Sequence, residues 1–184
     1  MSELNYSTSL VSRIIEAEII QQGPETNIKH LLLDSRRLSS PDNSLFFAIK
    51  GERNDGHKFI QDLYQKGIRN FVVSERLDSF SNLKECTFLL VKDTLIALQK
   101  LAEHHRAQFS IPVIGITGSN GKTIVKEWLF QLLREDKNIV RSPKSYNSQV
   151  GVPLSVWEMQ PENELAIFEA GISKPNEMEQ LQKI

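Results

Sequence analysis

The sequence predicts an α/β protein, with a small N-terminal α/β domain over residues 1–110 and the incomplete start of a second α/β domain over residues 111–184. Short apolar runs alternate with apolar residues at helical spacing, which is typical of α/β folds. The alternation restarts after Ile111-Pro112, which a helix does not easily cross. The second part supplies only about three strands, whereas a sheet usually has about 4 to 6. We therefore expect the sequence to be a fragment that stops inside a helix.

The first domain has a complete pattern of strands and helices. Apolar runs bounded by turn residues predict strands at 28–33, 44–49, 71–73 and 88–91. The spacing of leucine and isoleucine predicts a helix over 10–20, before Gly23-Pro24. Two further helices are predicted around 59–64 and over 94–109. Because the pattern is complete, we expect this domain to fold independently.

The second domain opens on a strand at 113–116, followed by a helix over 122–134. The helical residues expected to face inward are Val125, Leu129, Leu132 and Leu133. Trp128 on this helix and Trp157 on a short helix over 152–157 are expected to be core residues. The remaining predicted elements are strands at 139–140 and 165–168 and a helix over 177–184.

The composition is that of an ordinary globular protein without strong charge. Hydrophobic residues make up 40% and charged residues 24%, which excludes disordered and low-complexity classes. With 22 basic and 23 acidic side chains the net charge is -1, so binding to nucleic acid through overall charge is not expected. The single cysteine, Cys86, is expected in the core of a protein from a reducing compartment. No run is apolar enough for a membrane span or signal peptide, so we expect a cytoplasmic protein that does not bind membranes.

The strongest chemical signal is the loop Gly118-Ser119-Asn120-Gly121-Lys122-Thr123, between a predicted strand and a predicted helix. Glycines let the backbone fold tightly, so that its N–H groups and the positive end of the helix surround phosphate oxygens. The lysine adds a point charge, and the threonine hydroxyl is a magnesium ligand. The loop is a shortened variant of G-x-x-x-x-G-K-[ST], because Ile116 stands where the first glycine is expected. It predicts a phosphate site, and hence a P-loop type of domain.

A metal ligand is expected at the end of a neighbouring strand, because ligands of open α/β sheets bind at the carboxyl ends of strands. Glu169 follows the predicted strand at 165–168 and precedes Ala170-Gly171. A carboxylate there suits Mg²⁺, which prefers oxygen ligands. A glutamate at a strand end is equally often a helix cap or a surface charge. Both interpretations stay open from these residues alone.

These motifs together resemble a known family. Residues 114–123, Asn147 with Gly151-Val152-Pro153-Leu154, and Phe168-Glu169-Ala170-Gly171 resemble the ATP-binding core of the Mur ligases. Upstream, Asp34-Ser35-Arg36, Leu45-Phe46-Phe47-Ala48, and Gly51 with residues 55–60 resemble the N-terminal UDP-binding domain of the same enzymes. The two motif groups occur in the family's order and span most of the chain.

The resemblance implies an ATP-dependent amide ligase of peptidoglycan precursor synthesis. In this family ATP phosphorylates the terminal carboxylate of a UDP-linked muramoyl peptide, and an amine then attacks the acyl phosphate. The resemblance gives Lys122 and Glu169 catalytic roles, with Lys122 on the ATP phosphates and with Thr123 and Glu169 as ligands of Mg²⁺. The residues it implies for binding the UDP substrate are Ser35, Arg36, Asp55, His57 and Asn147. The branch it resembles most joins D-Ala-D-Ala to UDP-N-acetylmuramoyl-tripeptide, and a monomer is expected.

One stretch departs from the family pattern, and some interpretations stay open. The family usually has Asn-x-Asn-Asn-Glu where this sequence has Ser145-Tyr146-Asn147-Ser148-Gln149, a variant associated with members fused to an alanine racemase. The 184 residues alone are expected to be inactive, because the region for the dipeptide is absent. A different P-loop nucleotide-binding protein and a non-catalytic nucleotide-binding fragment are the alternatives. His57 is equally open between a substrate contact and a loop-packing residue, and His104-His105 are expected to be structural.

Overall fold

The computed structural model describes residues 4–34, 40–51 and 54–184, and it confirms the predicted α/β class with parallel sheets. The chain divides into two compact units between Leu98 and Gln99, inside helix α3 (Thr94–Arg106). This division precedes the predicted boundary near Ser110. The reason is that the C-terminal half of α3 packs in the second unit, where Ala102 belongs to the hydrophobic core.

The first unit contains a five-stranded sheet with the strand order β1-β5-β4-β3-β2. Strands β2 to β5 run parallel to their neighbours, and β1 pairs antiparallel with β5. The strands are β1 (Glu18–Gln21), β2 (His30–Leu32), β3 (Ser44–Phe47), β4 (Asn70–Val73) and β5 (Thr87–Leu90). The helices besides α3 are α1 (Thr8–Ile14), α2 (Ile60–Gln65) and two 3-10 helices at Gly56–Phe59 and Asp78–Asn82.

The predicted helix over 10–20 is wrong in its second half. Helix α1 ends at Ile14, and Glu16 has a left-handed backbone conformation with φ 54°. The chain then turns into β1, where Ile19 pairs with Leu89 of β5. Isoleucines at helical spacing also suit a strand, because β-branched side chains pack well on a sheet. Pairing with β5 therefore decided the conformation of this segment.

Three phenylalanines on neighbouring strands form the centre of the first unit. Phe46 pairs with Phe71, and Phe71 pairs with Phe88 across the sheet. The Phe71 and Phe88 rings stack with centroids 5.0 Å apart, and Phe80 stacks on Phe88 at 4.3 Å. Strands β3 and β4 are buried along their whole length. Because β2 to β5 are parallel, their carboxyl ends lie at the same edge of this sheet.

The second unit contains a parallel sheet with the strand order β6-β8-β7. Its strands are β6 (Val113–Ile116), β7 (Ile139–Arg141) and β8 (Leu165–Glu169), and its remaining helices are α4 (Lys122–Leu133), α5 (Gly151–Trp157) and α6 (Glu177–Leu181). Val140, Val156 and Phe168 lie in its core. In the described part of the chain no helix is long and apolar enough to cross a membrane.

Helix α4 does not bury the face that its apolar residues predict. Val125 is 43% exposed, Leu132 is 73% exposed and Trp128 is 64% exposed, so these three predictions are wrong. Leu129 and Leu133 are half-buried, and the fully buried residue of the helix is Lys126. The helix contacts β7 and β8, and on this side the Lys126 ammonium lies next to the Glu169 carboxylate of β8. Trp157, by contrast, is buried as predicted.

Candidate nucleotide and metal site

The predicted phosphate loop lies between the end of β6 and the start of α4. Gly118 and Gly121 have φ angles of 138° and 78°, which residues other than glycine rarely adopt. Gly121 is the N-cap of α4, so the loop delivers the positive end of a twelve-residue helix. Lys122 Nζ donates a hydrogen bond to the Gly118 carbonyl at 2.6 Å, which folds the lysine back over the loop. Ser119 and Asn120 are exposed at its tip.

Glu169 is the last residue of β8, and its backbone pairs with Ile116 at the end of β6. This pairing carries the carboxylate to the base of the phosphate loop. The Thr123 hydroxyl donates a hydrogen bond to Glu169 Oε2 at 3.1 Å. Glu169 is fully buried, so of the alternatives open from the sequence the surface charge does not apply. Thr123 and Glu169 are therefore in direct contact, as a shared metal site would require.

The residue that sequence reasoning missed is Lys126. Its ammonium is fully buried and lies 2.9 Å from Glu169 Oε1. It also donates hydrogen bonds to the backbone carbonyls of Ser142, at 2.8 Å, and of Lys144. The available signal was its position four residues after Lys122, on a face of α4 that also carries Leu129 and Leu133. A lysine on a buried face needs an acidic partner, and Glu169 is that partner.

Further polar contacts fix the surroundings of this ion pair. The Glu169 backbone N–H donates to the Ser142 hydroxyl at 3.0 Å, directly after β7. Glu127 lies with Oε1 3.4 Å from Lys126 Nζ, and its other oxygen is paired with Arg141. The Arg141 guanidinium in turn covers the Phe130 ring at 3.9 Å from its centroid. The ends of all three strands of the unit thus meet around Glu169.

Asn147 lies beside Glu169, in the second unit. Its Nδ2 is 3.5 Å from Glu169 Oε2, and its carbonyl accepts a hydrogen bond from the Gly171 N–H at 2.6 Å. A Cβ on Gly171 would lie 3.0 Å from Asn147 Cγ, so the glycine makes room for the asparagine. The structure therefore places Asn147 at the phosphate-loop end of this unit. Its predicted contact with the UDP substrate stays a prediction.

Two of the three residues that depart from the family pattern, Ser148 and Gln149, have local partners. The Ser148 hydroxyl accepts a hydrogen bond from the Gly151 N–H at 3.1 Å, at the start of α5. The Gln149 amide donates to the Glu177 carbonyl at 3.0 Å and accepts from Gln99 Nε2 at 3.0 Å. Neutral side chains at both positions therefore hold the loop that carries Asn147.

The first unit holds Asp55 and His57 at the end of β4. His57 Nδ1 lies 2.7 Å from Asp55 Oδ1, and His57 Nε2 accepts a hydrogen bond from the Ser74 N–H at 3.1 Å. The hydrogen bonds from the His57 side chain and backbone lower the pKa of the Asp55 carboxyl. With both ring nitrogens engaged and the ring buried, the geometry favours the loop-packing interpretation of His57. Ser35 and Arg36 lie outside the described residues, shortly after β2.

The residues around the loop fit a magnesium ion. Thr123 and Glu169 offer hard oxygen atoms, the Thr123 hydroxyl and Glu169 Oε2, which lie side by side at the base of the loop. Adjacent ligands of an octahedral Mg²⁺ with bonds of about 2.0 to 2.1 Å lie roughly 2.9 Å apart, close to the 3.1 Å between the two side chains. In the described residues, no three His, Cys, Asp or Glu side chains lie together as metal ligands. Such a pair suits an ion whose other ligands are nucleotide phosphates and water.

Two protein-family models match separate parts of the chain. The model described as "Mur ligase family, catalytic domain" matches residues 27–106, and the "Mur ligase middle domain" matches residues 116–184. Together they include strands β2 to β5 of the first sheet and the phosphate loop with Glu169.

Curated relatives are named UDP-N-acetylmuramoyl-tripeptide--D-alanyl-D-alanine ligase. The Bacillus subtilis protein is 35% identical over 89% of this chain and 35% of its own length. The Haemophilus influenzae protein is 31% identical over 98% of this chain and 39% of its own length. The chain thus spans little more than a third of these relatives.

Solved structures agree with the sequence relatives. MurF from Acinetobacter baumannii matches 98% of this chain and 39% of its own chain, with a TM-score of 0.86 and 30% identity. The MurF ligase from Thermotoga maritima in complex with ADP matches 84% of this chain and 35% of its own, with a TM-score of 0.70 and 31% identity.

Proposed function

Because the chain belongs to the Mur ligase family, we propose that it carries the UDP-substrate-binding and ATP-binding regions of an amide ligase. The reaction proposed for the complete protein joins D-Ala-D-Ala to UDP-N-acetylmuramoyl-tripeptide at the expense of ATP. The printed names of the relatives support these substrates, and the Thermotoga maritima neighbour was solved with ADP. UDP-linked precursors and ATP also suit the proposed cytoplasmic location of a monomeric enzyme.

The chemistry of the reaction explains why a phosphate loop is needed. A carboxylate is a poor electrophile, because attack by an amine would have to expel oxide. Transfer of the γ-phosphoryl group to a carboxylate oxygen releases ADP and gives an acyl phosphate. The amine then attacks the carbonyl carbon, the amide forms, and phosphate leaves with that carboxylate oxygen. The site must therefore neutralise the negative charge on the phosphoryl group during its transfer.

The observation that carries the proposal is the contact between Thr123 and Glu169 at the base of the phosphate loop. In this proposal the loop N–H groups and the Lys122 ammonium bind the ATP phosphates. Lys122 would exchange its hydrogen bond to the Gly118 carbonyl for a phosphate oxygen. Lys122 is only partly buried at the mouth of the loop, so this movement needs no rearrangement of the core.

Thr123 and Glu169 are the proposed protein ligands of Mg²⁺. The metal would supply positive charge against the phosphate oxygens when nucleotide is bound. The fixed surroundings of Glu169 support this role, because Thr123, Lys126 and Ser142 all hold its side chain or backbone. The Asn147 amide, 3.5 Å from Oε2, is proposed to orient the same carboxylate.

The UDP end of the substrate is proposed to bind at the carboxyl edge of the first sheet. Ser35 and Arg36 follow β2, and Asp55 and His57 pack at the end of β4. Ligands of α/β sheets bind at this edge, and a guanidinium can bind a diphosphate through two parallel hydrogen bonds. His57 would then act through Asp55 and its loop, because both its nitrogens are occupied.

Isotope transfer tests the proposed reaction directly. A full-length protein containing this sequence is incubated with ATP, D-Ala-D-Ala and a UDP-muramoyl-tripeptide whose terminal carboxylate carries oxygen-18. The acyl-phosphate route requires one labelled oxygen in the inorganic phosphate, which mass spectrometry detects. Label in AMP, or ATP hydrolysis without amide, would contradict the proposal.

Substrate binding is tested in the 184-residue chain by calorimetry with UDP-muramoyl-tripeptide. We expect binding that Arg36→Ala weakens, with Arg13→Ala on α1 as the control for a lost positive charge. Equal binding by all three proteins would remove Arg36 from the proposed site.

A further inference from the structure

Lys126 is a buried cation that enters the proposed reaction only through its contact with Glu169. It lies on α4 one turn beyond Lys122, and its side chain has no exposed surface. A buried ammonium loses its hydration, which is costly unless charges and hydrogen bonds replace it. Here the replacements are one carboxylate oxygen of Glu169 and two backbone carbonyls. An apolar side chain could fill the same space without this cost. The presence of a lysine therefore indicates that its positive charge acts on Glu169.

The two oxygens of Glu169 have different surroundings. Oε1 faces the Lys126 ammonium at 2.9 Å. Oε2 faces the Thr123 hydroxyl at 3.1 Å and the Asn147 amide at 3.5 Å. The oxygen beside the phosphate loop is therefore Oε2, and the other is held by a fixed positive charge.

The anchor of Lys126 is independent of Glu169. Its hydrogen bonds to the Ser142 and Lys144 carbonyls tie the ammonium to the turn after β7. The Ser142 hydroxyl also accepts the Glu169 N–H, so the same turn holds both members of the ion pair. Oε1 is thereby fixed with respect to the sheet.

We propose that Lys126 is a positioning residue that makes Glu169 bind the metal ion through one oxygen, Oε2, and thereby favours Mg²⁺ over Ca²⁺. This inference rests on the proposed function, in which Thr123 and Glu169 are metal ligands. Mg²⁺ requires a small octahedral shell, whereas Ca²⁺ takes more oxygens and often binds both oxygens of one carboxylate. Because the Lys126 ammonium occupies Oε1, Glu169 cannot bind a metal ion through both oxygens. Lys126 thus acts on the choice of metal and touches neither nucleotide nor substrate in this arrangement.

The test measures the dissociation constants of the 184-residue chain for ATP with excess Mg²⁺ and for ATP with excess Ca²⁺, by calorimetry. The ratio of the calcium value to the magnesium value is compared between wild type and Lys126→Met, which has a similar length and no charge. We expect the ratio to fall roughly tenfold, the effect of about one additional charged oxygen contact. Lys126→Arg retains a cation and should keep most of the wild-type preference.

Glu127→Gln is the matched control. It removes the other carboxylate near Lys126 Nζ and leaves the pair with Glu169 in place, so the ratio should stay at the wild-type value. An equal loss of affinity for both metals in Lys126→Met would show a merely structural role and overturn the proposal. If wild type binds ATP identically with and without metal, the metal site of the proposed function is wrong and this inference fails with it.

Infrared spectroscopy tests the binding mode without the Lys126 variant, in case that variant does not fold. The difference spectrum between wild type and Glu169→Gln, each with Mg²⁺ and ATP, isolates the carboxylate bands of Glu169. Binding through one oxygen separates the antisymmetric and symmetric stretches widely, and binding through both oxygens narrows the separation. A wide separation supports the proposal, and a narrow one overturns it.

Discussion

The stability of the second unit is expected to depend on pH through His105. This side chain is 3% exposed and lies between the rings of Trp157, at 4.8 Å, and Phe109, at 5.0 Å. Its Nε2 is 3.1 Å from the Met159 carbonyl, which assigns the ring proton to that nitrogen. Burial lowers the pKa of His105 from 6.5 to about 4, because the imidazolium would lose its hydration. The hydrogen bond to Met159 opposes this shift, and the neighbouring His104 adds to it slightly.

The sign of the effect follows from the two states of the chain. In the unfolded chain His105 takes up a proton near pH 6.5, whereas in the folded unit it does so only near pH 4. Between these values the unfolded state binds more protons, so the free energy of unfolding falls as the pH falls. The slope is about 1.4 kcal/mol per pH unit, which gives a total loss of about 3 kcal/mol across the window. Above pH 6.5 the contribution is fully present.

Tryptophan fluorescence during denaturant unfolding measures this dependence selectively. Both tryptophans of the chain, Trp128 and Trp157, lie in the second unit, so the signal reports the unfolding of that unit. His105→Gln keeps a donor for the Met159 carbonyl and cannot titrate. We expect this variant to be less stable than wild type above pH 6.5, because it loses the ring contacts, and to have a flatter pH dependence.

The adjacent His104 provides the control. His104→Gln makes the same substitution on the same helix at a half-buried position and leaves the His105 ring in place, so most of the wild-type slope should remain. Parallel stability curves for wild type and His105→Gln between pH 6.5 and 4 would refute the reasoning.

Three further predictions concern the candidate site and its support. In a full-length protein, Lys122→Ala should lower kcat by roughly a hundredfold or more and leave binding of the UDP substrate nearly unchanged; an unchanged kcat would exclude the phosphate-loop mechanism. Glu169→Gln should raise the Mg²⁺ concentration for half-maximal activity by about tenfold or more, whereas superimposable titrations would remove Glu169 from the metal site. Gly151→Ala should destabilise the second unit by about 1 to 3 kcal/mol, because a Cβ there would lie 2.8 Å from the Tyr146 carbonyl carbon; Gly115→Ala, with no atom within 4 Å of its Cβ, is the control in thermal melts.

The order of strands and helices was largely predictable from the sequence, because most elements here carry a strong local pattern. The strand β6, the glycine loop and the start of α4 follow one another within a few residues, and each has its own signal. The helix prediction for residues 18–21 was wrong because their isoleucines suit a helix and a strand equally. Only the free edge of β5 made the strand the better choice.

The candidate site, like the fold, was predictable from the sequence only in part. The phosphate loop was predictable because glycines at positive φ, a helix start and Gly-Lys-Thr are contiguous. The acidic end of the site was predictable as a candidate, because Glu169 ends a strand. Which of its oxygens meets which partner was not predictable, and neither was the inward turn of Lys126.

The sequence by itself determined where a phosphate could bind, since every group of that loop is local in the chain. The tertiary structure decided how the charges around Glu169 are arranged, and it placed a lysine where the helical pattern predicts leucine and valine. Parallel pairing of β6 with β8 and of β8 with β7 brings the carboxylate, Thr123 and the turn at Ser142 together. Electrostatic energy depends on distance in space and on exclusion of water. A buried lysine is therefore stable only opposite its carboxylate, and that pairing exists only in the folded sheet.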